Sequence, residues 1–456
     1  GCANGTSNGN YQCNVTITAT AMAVGNFGNI WVDNASLATQ GEFTNVPAEF
    51  QTVANDFDSY YATETNAYGP AWFPSTSAIT PIYSQSTGQC DANGNVLPQN
   101  QWKTLDISGS AGTSIDVVIT DALAGTGEGG YYYVVNEIPQ EVWNCASAPK
   151  PVSDNTSMVV ITGNNYTTGP NLPQFNESYW LNTDVPRSLS HELQHLLHAH
   201  NKVLRPLVGG SSAVFDDAFL DEGCSMLAED IAANGIAIDT PRYTYSFLLE
   251  PSLFSLTSFT GYQPNPTSTA TNPPYGWYSN SAGSYGQAYL FMRYLYDRFG
   301  PSVLKGIYAG TGSSVATVQS VSGESFAQLY REFTTAIGAQ STNAASPPVY
   351  GFSSAITLRG SVTVPSRRVP QSTRFLTFGG PQPPEIFANN VPTGGYFTLG
   401  PGTTGSTFVV DGGALYLPAA NSVSGAAIVV SGATSASNYE GSLVQGSLPT
   451  PAPASQ

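Results

Sequence analysis

All four histidines of a 456-residue chain fall inside one ten-residue window, "HELQHLLHAH", residues 191 to 200. The surrounding pattern is helical: Leu189, Leu193, Leu196 and Leu197 form an apolar stripe, and Asp184 with Pro186 supplies a start, since a first-turn proline loses no hydrogen bond. Residues four apart on a helix stand one above the other, so His191 and His195 present their imidazoles from one face, close enough to share a metal ion. Glu192 sits beside that pair. This is the H-E-x-x-H arrangement, in which two histidines bind zinc and the glutamate is the general base. Leu189, Ser190, Leu193, Gln194, Leu196 and Leu197 are all uncharged, as a helix buried beneath an active site requires. The other two imidazoles read differently: His198 lies about 10 Å along the helix axis from His191 at 1.5 Å per residue. Both His198 and His200 are therefore expected to pack or to support the site from outside it.

A catalytic zinc site takes a third protein ligand and keeps a fourth position for water. A metzincin would place glycine at 198 and histidine at 201, where this chain has His198 and Asn201, so that subclass is excluded. With no histidine left, the third ligand is a carboxylate or a cysteine. The best-placed stretch is "FLDEGCSMLAED", where Glu222 opens a second helix 27 positions after His195. Asp216, Asp217 and Asp221 are the competing carboxylates. Glu229, two turns further on, either orients a ligand from outside the coordination shell or is a solvated helix-surface residue. Cys224 reads as a small buried residue of the same helix.

"SHELQHLL" followed by "FLDEGCSMLAED" resembles a gluzincin metallopeptidase, in which a glutamate of an N/D-E-G motif on a later helix completes a His-His-Glu zinc site. With "GSYGQAYLFMRYLYDRFG" and "SGESFAQLYREF" the resemblance narrows to the hyicolysin family of bacterial extracellular neutral metallopeptidases, over about residues 120 to 340. It implies zinc on His191, His195 and Glu222, with Glu192 as the base. Asp221 stands where such families commonly have Asn. Related gluzincin aminopeptidases carry an oxyanion-stabilising tyrosine at the start of a helix, followed three residues later by a small residue, and "SYGQA" places Tyr285 and Ala288 in that relation. The G-x-M-E-N-like segment with which aminopeptidases hold a substrate amine is missing, which favours an endopeptidase. "GGYYYVVNE" reads as an edge strand to which an extended substrate can pair.

The expected fold is α+β, a zincin-type domain of mixed sheet and active-site helices at 41–345. A short N-terminal β segment at 1–40 precedes it. A β-rich, sandwich-like accessory domain at 346–448 follows, where short strands are broken by glycine and proline, with a disordered tail at 449–456. The charge supports a boundary near 346: beyond it four arginines meet three acidic residues, so the whole negative excess of a chain with net charge −17 lies before it. That charge excludes nucleic acid and repels anionic lipid surfaces. Charged residues make up only 10% against 41% hydrophobic, and no apolar run reaches the ~18 residues of a transmembrane helix. Starting at Gly1 without Met or signal peptide, the chain reads as a mature, secreted or cell-envelope form. Its five cysteines allow disulfides Cys2–Cys13 and Cys90–Cys145 with Cys224 reduced. A lipid anchor on Cys2 is the rival reading of that terminus. Calcium in the acidic loops is left open by the sequence, with no motif in its support.

The functional expectation is a secreted zinc endopeptidase acting on protein or peptide substrates. The contrasting one is a cell-surface binding or adhesion protein with a vestigial or structural zinc site. Retention of Glu192 argues against the second, because a structural site has no use for a base.

Overall fold

A computed structural model describes residues 16–39, 46–71, 88–103, 114–123, 129–145, 152–163, 180–209, 211–233, 243–244, 247, 254–261, 280–339, 349 and 351–352. Apart from Val349, Gly351 and Phe352, the expected C-terminal domain and tail lie outside the described residues, as do Cys2 and Cys13. What is described is α+β, with a five-stranded mixed sheet and ten α-helices among those residues.

The chain divides into two compact units, one built from residues up to Phe215 with Ala228–Gly235 and Leu304–Thr311, the other from Asp216–Leu227, Ile236–Val303 and residues from Gly312 on. The first holds the sheet. Its strands are β1 (Ala19–Val24), β2 (Gly28–Asp33), β3 (Ile115–Thr120), β4 (Gly130–Tyr132) and β5 (Met158–Thr162), in the order β1-β2-β3-β5-β4. β2, β3 and β5 are parallel, while β1 and β4 run antiparallel at the two edges. "IDVVIT" and "MVVIT" are nearly continuous apolar runs, as strands inside a parallel sheet demand, and β5 is buried at every position. The strands within 1–40 and those of the following stretch thus share one sheet. "GGYYYVVNEI" yields only three strand residues before a 3₁₀ turn at Val134–Glu137, whose last three residues are buried.

Helix α1 (Asn34–Thr39) follows β2, and α2 (Val46–Tyr68) is a long helix that apolar periodicity alone brings out weakly. Its sequence is rich in Thr, Asn and Tyr, poor helix formers, so packing rather than propensity makes it. Phe50, Val53, Ala54 and Phe57 are fully or almost fully buried; each phenylalanine contributes about 2 to 3 kcal/mol by leaving water. After α3 (Gln140–Trp143) comes α4 (Val185–Ala199), with Asp184 at its N-cap position and proline in the first turn. α2 lies on β1 and β2, α4 lies on β5 and β4, and the two helices pack side by side. Beyond Ala199 the helix widens into a π turn at His200–Leu204 and a short helix α5 (Arg205–Val208). Leu204 packs with Ile138 and Val142. A disulfide joins Cys90 to Cys145.

Helix α6 (Ala218–Ala233) contributes to both units, its residues up to Leu227 belonging to the second. That unit adds the small hairpin β6 (Phe254–Ser255) and β7 (Thr260–Gly261) and helix α7 (Asn280–Phe299), which begins five residues before Tyr285. Helix α8 (Ser302–Ala309) follows, with most of its length in the first unit, and α9 (Ser314–Ser322) and α10 (Phe326–Ala339) complete the second. Phe219, Phe291, Phe326 and Phe333 cluster there with ring centroids 5.4 to 6.4 Å apart. The glycine of the D-E-G motif has a steric reason: a Cβ on Gly223 would stand 2.8 Å from Met292 Cγ and 3.0 Å from the carbonyl oxygen of Ala288.

No helix among the described residues is long and apolar enough to cross a membrane.

Candidate metal centre

The leucine stripe of α4 orients the centre. Leu189, Leu193, Leu196 and Leu197 are fully buried, and at 100° per residue the opposite side of the helix carries His191 and His195. Both imidazoles are half-buried, with ring centroids 5.0 Å apart and planes inclined by 68°. α6 brings Glu222, also half-buried, so that one ligand atom from each of His191, His195 and Glu222 lies within 4.8 Å of the other two. Two imidazoles and one carboxylate at that spacing fit a single divalent ion held at about 2 Å from each donor, with room for a further ligand.

Glu229 stands seven residues after Glu222, on the same face of α6. Its Oε1 accepts from His191 Nδ1 at 2.7 Å. With the proton held on Nδ1, Nε2 carries the lone pair that a metal needs, and the carboxylate fixes the ring's rotation. Of the two readings of Glu229, the buried partner of a ligand is the one the geometry has; the residue is 2% exposed.

Glu192 is 6% exposed, and the backbone of β4 runs beside it. A Cβ on Gly130 would lie 2.9 Å from Glu192 Cγ, 3.1 Å from its Oε1 and 2.7 Å from the carbonyl oxygen of Val160. Only glycine lets the edge strand come this near to the carboxylate. One residue on, Tyr131 is exposed to 39%; partial burial first, then the charges of Asp154 and Glu192, push its hydroxyl pKa up. No family model matches the chain, and no curated protein is similar to it in sequence.

None of the other histidine, cysteine, aspartate or glutamate candidates joins the three-ligand group among the described residues. Asp216 accepts a hydrogen bond from the amide of Ser314, and the Asp217 amide donates to the Ser314 hydroxyl oxygen, so both serve the start of α9. His198 is buried against Tyr308, whose hydroxyl bonds Gln194. His200 is fully buried and bonded to Glu137. Tyr285 lies half-buried on α7, edge-on to Phe259 at 5.1 Å and 5.7 Å from Tyr243. Cys224 is a buried thiol.

Glu64 is a feature that motif reading passes over. It sits on α2 in the row that holds Phe57, Tyr60 and Ala67, is fully buried, and neither carboxyl oxygen has a hydrogen-bond partner among the described residues. Burial drives its pKa well above the ordinary 4.5, opposed in part by the nearby His191. A glutamate inside an apolar stripe was the available signal.

Proposed function

We propose that this protein is a zinc-dependent endopeptidase of the gluzincin type, similar in its motifs to the hyicolysin family, and that it works outside the cytoplasm. The observation that carries the reading is the convergence of His191, His195 and Glu222 with Glu192 beside them and a glycine-bearing edge strand in front of that carboxylate. A purely structural metal site needs no such base.

Lewis acidity, which makes water a nucleophile near neutral pH and polarises a carbonyl, is what a zinc ion supplies in such a site. The chain does the rest. Glu192 takes the proton of the attacking water and returns it to the departing amine nitrogen. Glu229 keeps His191 in the tautomer that binds metal. β4 offers backbone groups along which an extended peptide can lie with its scissile bond before Glu192. Tyr285 is the candidate donor to the oxyanion that develops on the carbonyl. The Cys90–Cys145 disulfide supports an oxidising compartment.

Metal analysis and casein hydrolysis test the reading together. The expected outcome is one equivalent of zinc, activity lost to a chelator and restored by zinc, and a fall of about 10² to 10⁴ in Glu192→Gln with zinc retained. Tyr285→Phe should lower kcat by about 10²; an unchanged kcat would leave Tyr285 as packing between Phe259 and Tyr243. Zinc-loaded wild-type protein that leaves casein intact would sink the peptidase reading in favour of a binding protein with a structural ion.

A further inference from the structure

Behind the edge strand lies a buried polar cluster that the reaction does not use. Tyr132 is the last residue of β4, and its hydroxyl donates to Glu137 Oε1 at 2.8 Å. Glu137 ends the 3₁₀ turn that follows, and its side chain is fully buried, as is that of His200. His200 Nε2 donates to Oε2 at 2.8 Å and lies 3.1 Å from Oε1. Ser157, just before β5, adds its hydroxyl at 3.3 Å from Oε1. The carboxyl thus gathers three donors from three separate segments: the edge strand, the entry of β5 and the end of the metal-motif helix.

The placement matters because a three-residue edge strand has little to hold it. Among the described residues β4 pairs only with β5, and such short ladders are marginal by themselves. Its first residue, Gly130, touches Glu192. Its last is tied, through Glu137, to His200, eight residues and about 12 Å further along the same helix. A tether at one end and a close approach at the other fix both the distance and the tilt of the strand relative to α4. Both oxygens of the buried Glu137 carboxyl are satisfied, and hydrogen bonds made in such a low-dielectric interior hold together what they join.

We propose that Tyr132, Glu137 and His200 form a positioning device that sets the gap between the edge strand and α4, and so governs how an extended peptide is held before Glu192 without taking part in the chemistry. The proposal rests on the peptidase reading for its catalytic consequence, but the fastening itself does not.

Tyr132→Phe in the full-length zinc-loaded protein removes one hydroxyl from a half-buried ring and should leave the fold intact. Its expected effect is a rise in KM of about 3- to 10-fold, the equivalent of one lost hydrogen bond. The rise should appear for peptides long enough to run beside Gly130–Tyr132, with kcat within about twofold. A short substrate that covers only the scissile bond should be unaffected, and zinc content should stay at the wild-type value. Amide hydrogen exchange over residues 129–137 should quicken in Tyr132→Phe and more so in His200→Gln. A fall in kcat at constant KM, equal losses on short and long peptides, loss of zinc, or unchanged exchange would each overturn the proposal. If the wild-type protein cleaves no peptide, the peptidase reading fails separately; exchange then decides, quickened exchange retaining the fastening and unchanged exchange removing it.

Discussion

Glu64 occupies a row of α2 that otherwise buries aromatic and small apolar side chains, and its fully buried carboxyl has no hydrogen-bond partner among the described residues. Burial holds its pKa above 4.5, with His191 pulling the other way. In the metal-free protein the sign of the consequence is definite. From pH 4.5 up to the raised folded value, the native chain keeps a proton that the unfolded chain has released, so stability falls as pH rises through that window. Glu64→Gln cannot ionise. The metal-free variant should therefore be less sensitive to pH there, and more stable than wild type by a margin that widens with pH. Urea midpoints of both metal-free proteins, measured from about pH 4.5 upward, check this; parallel curves would show that Glu64 titrates normally.

Among the elements, α4 meets β4 at a point where one carbon decides the geometry. Gly130→Ala puts a methyl against both the Val160 carbonyl and the Glu192 side chain, and the backbone oxygen cannot yield cheaply. The strand or the carboxylate must shift, and misplacement by about 1 Å is worth up to ~10² in rate. The expected outcome is kcat/KM down at least about tenfold with zinc still bound; wild-type kinetics would mean that the strand moves freely. α4 and α6 were legible in the sequence because caps, leucine spacing and motif agree there, while it took the gluzincin resemblance to favour Glu222 over Asp216, Asp217 and Asp221. α2 was not, since its helicity comes from packing on β1 and β2 rather than from its own residues. Nor was the bonding of His200 to Glu137, 63 positions away, because local periodicity carries no information on which distant carboxyl meets a buried imidazole. The same limit hid the role of Gly130: "GGYYYVVNE" reads as a strand, whereas the cause of its second glycine lies on other elements.

For the molecule as a whole, the Cys90–Cys145 disulfide closes a loop with a sequence separation of 55. That loop contains β3 and β4, and Cys145 follows directly on α3, whose Val142 packs with Leu204 just past the metal-motif helix. Loop-closure entropy for a ring of this size is worth up to about 4 kcal/mol. Replacing both cysteines by serine should lower the unfolding free energy by about 2 to 4 kcal/mol in denaturant titration. A change below about 0.5 kcal/mol would mean that the unfolded chain is already constrained there.

The contact of Gly130 with Glu192 also has a consequence for descent. Since a side chain at one position and a functioning carboxylate at the other compete for the same space, lineages that keep the glutamate should keep the glycine. Lineages that have abandoned hydrolysis are released from both at once, and substitutions at the two positions should accumulate together.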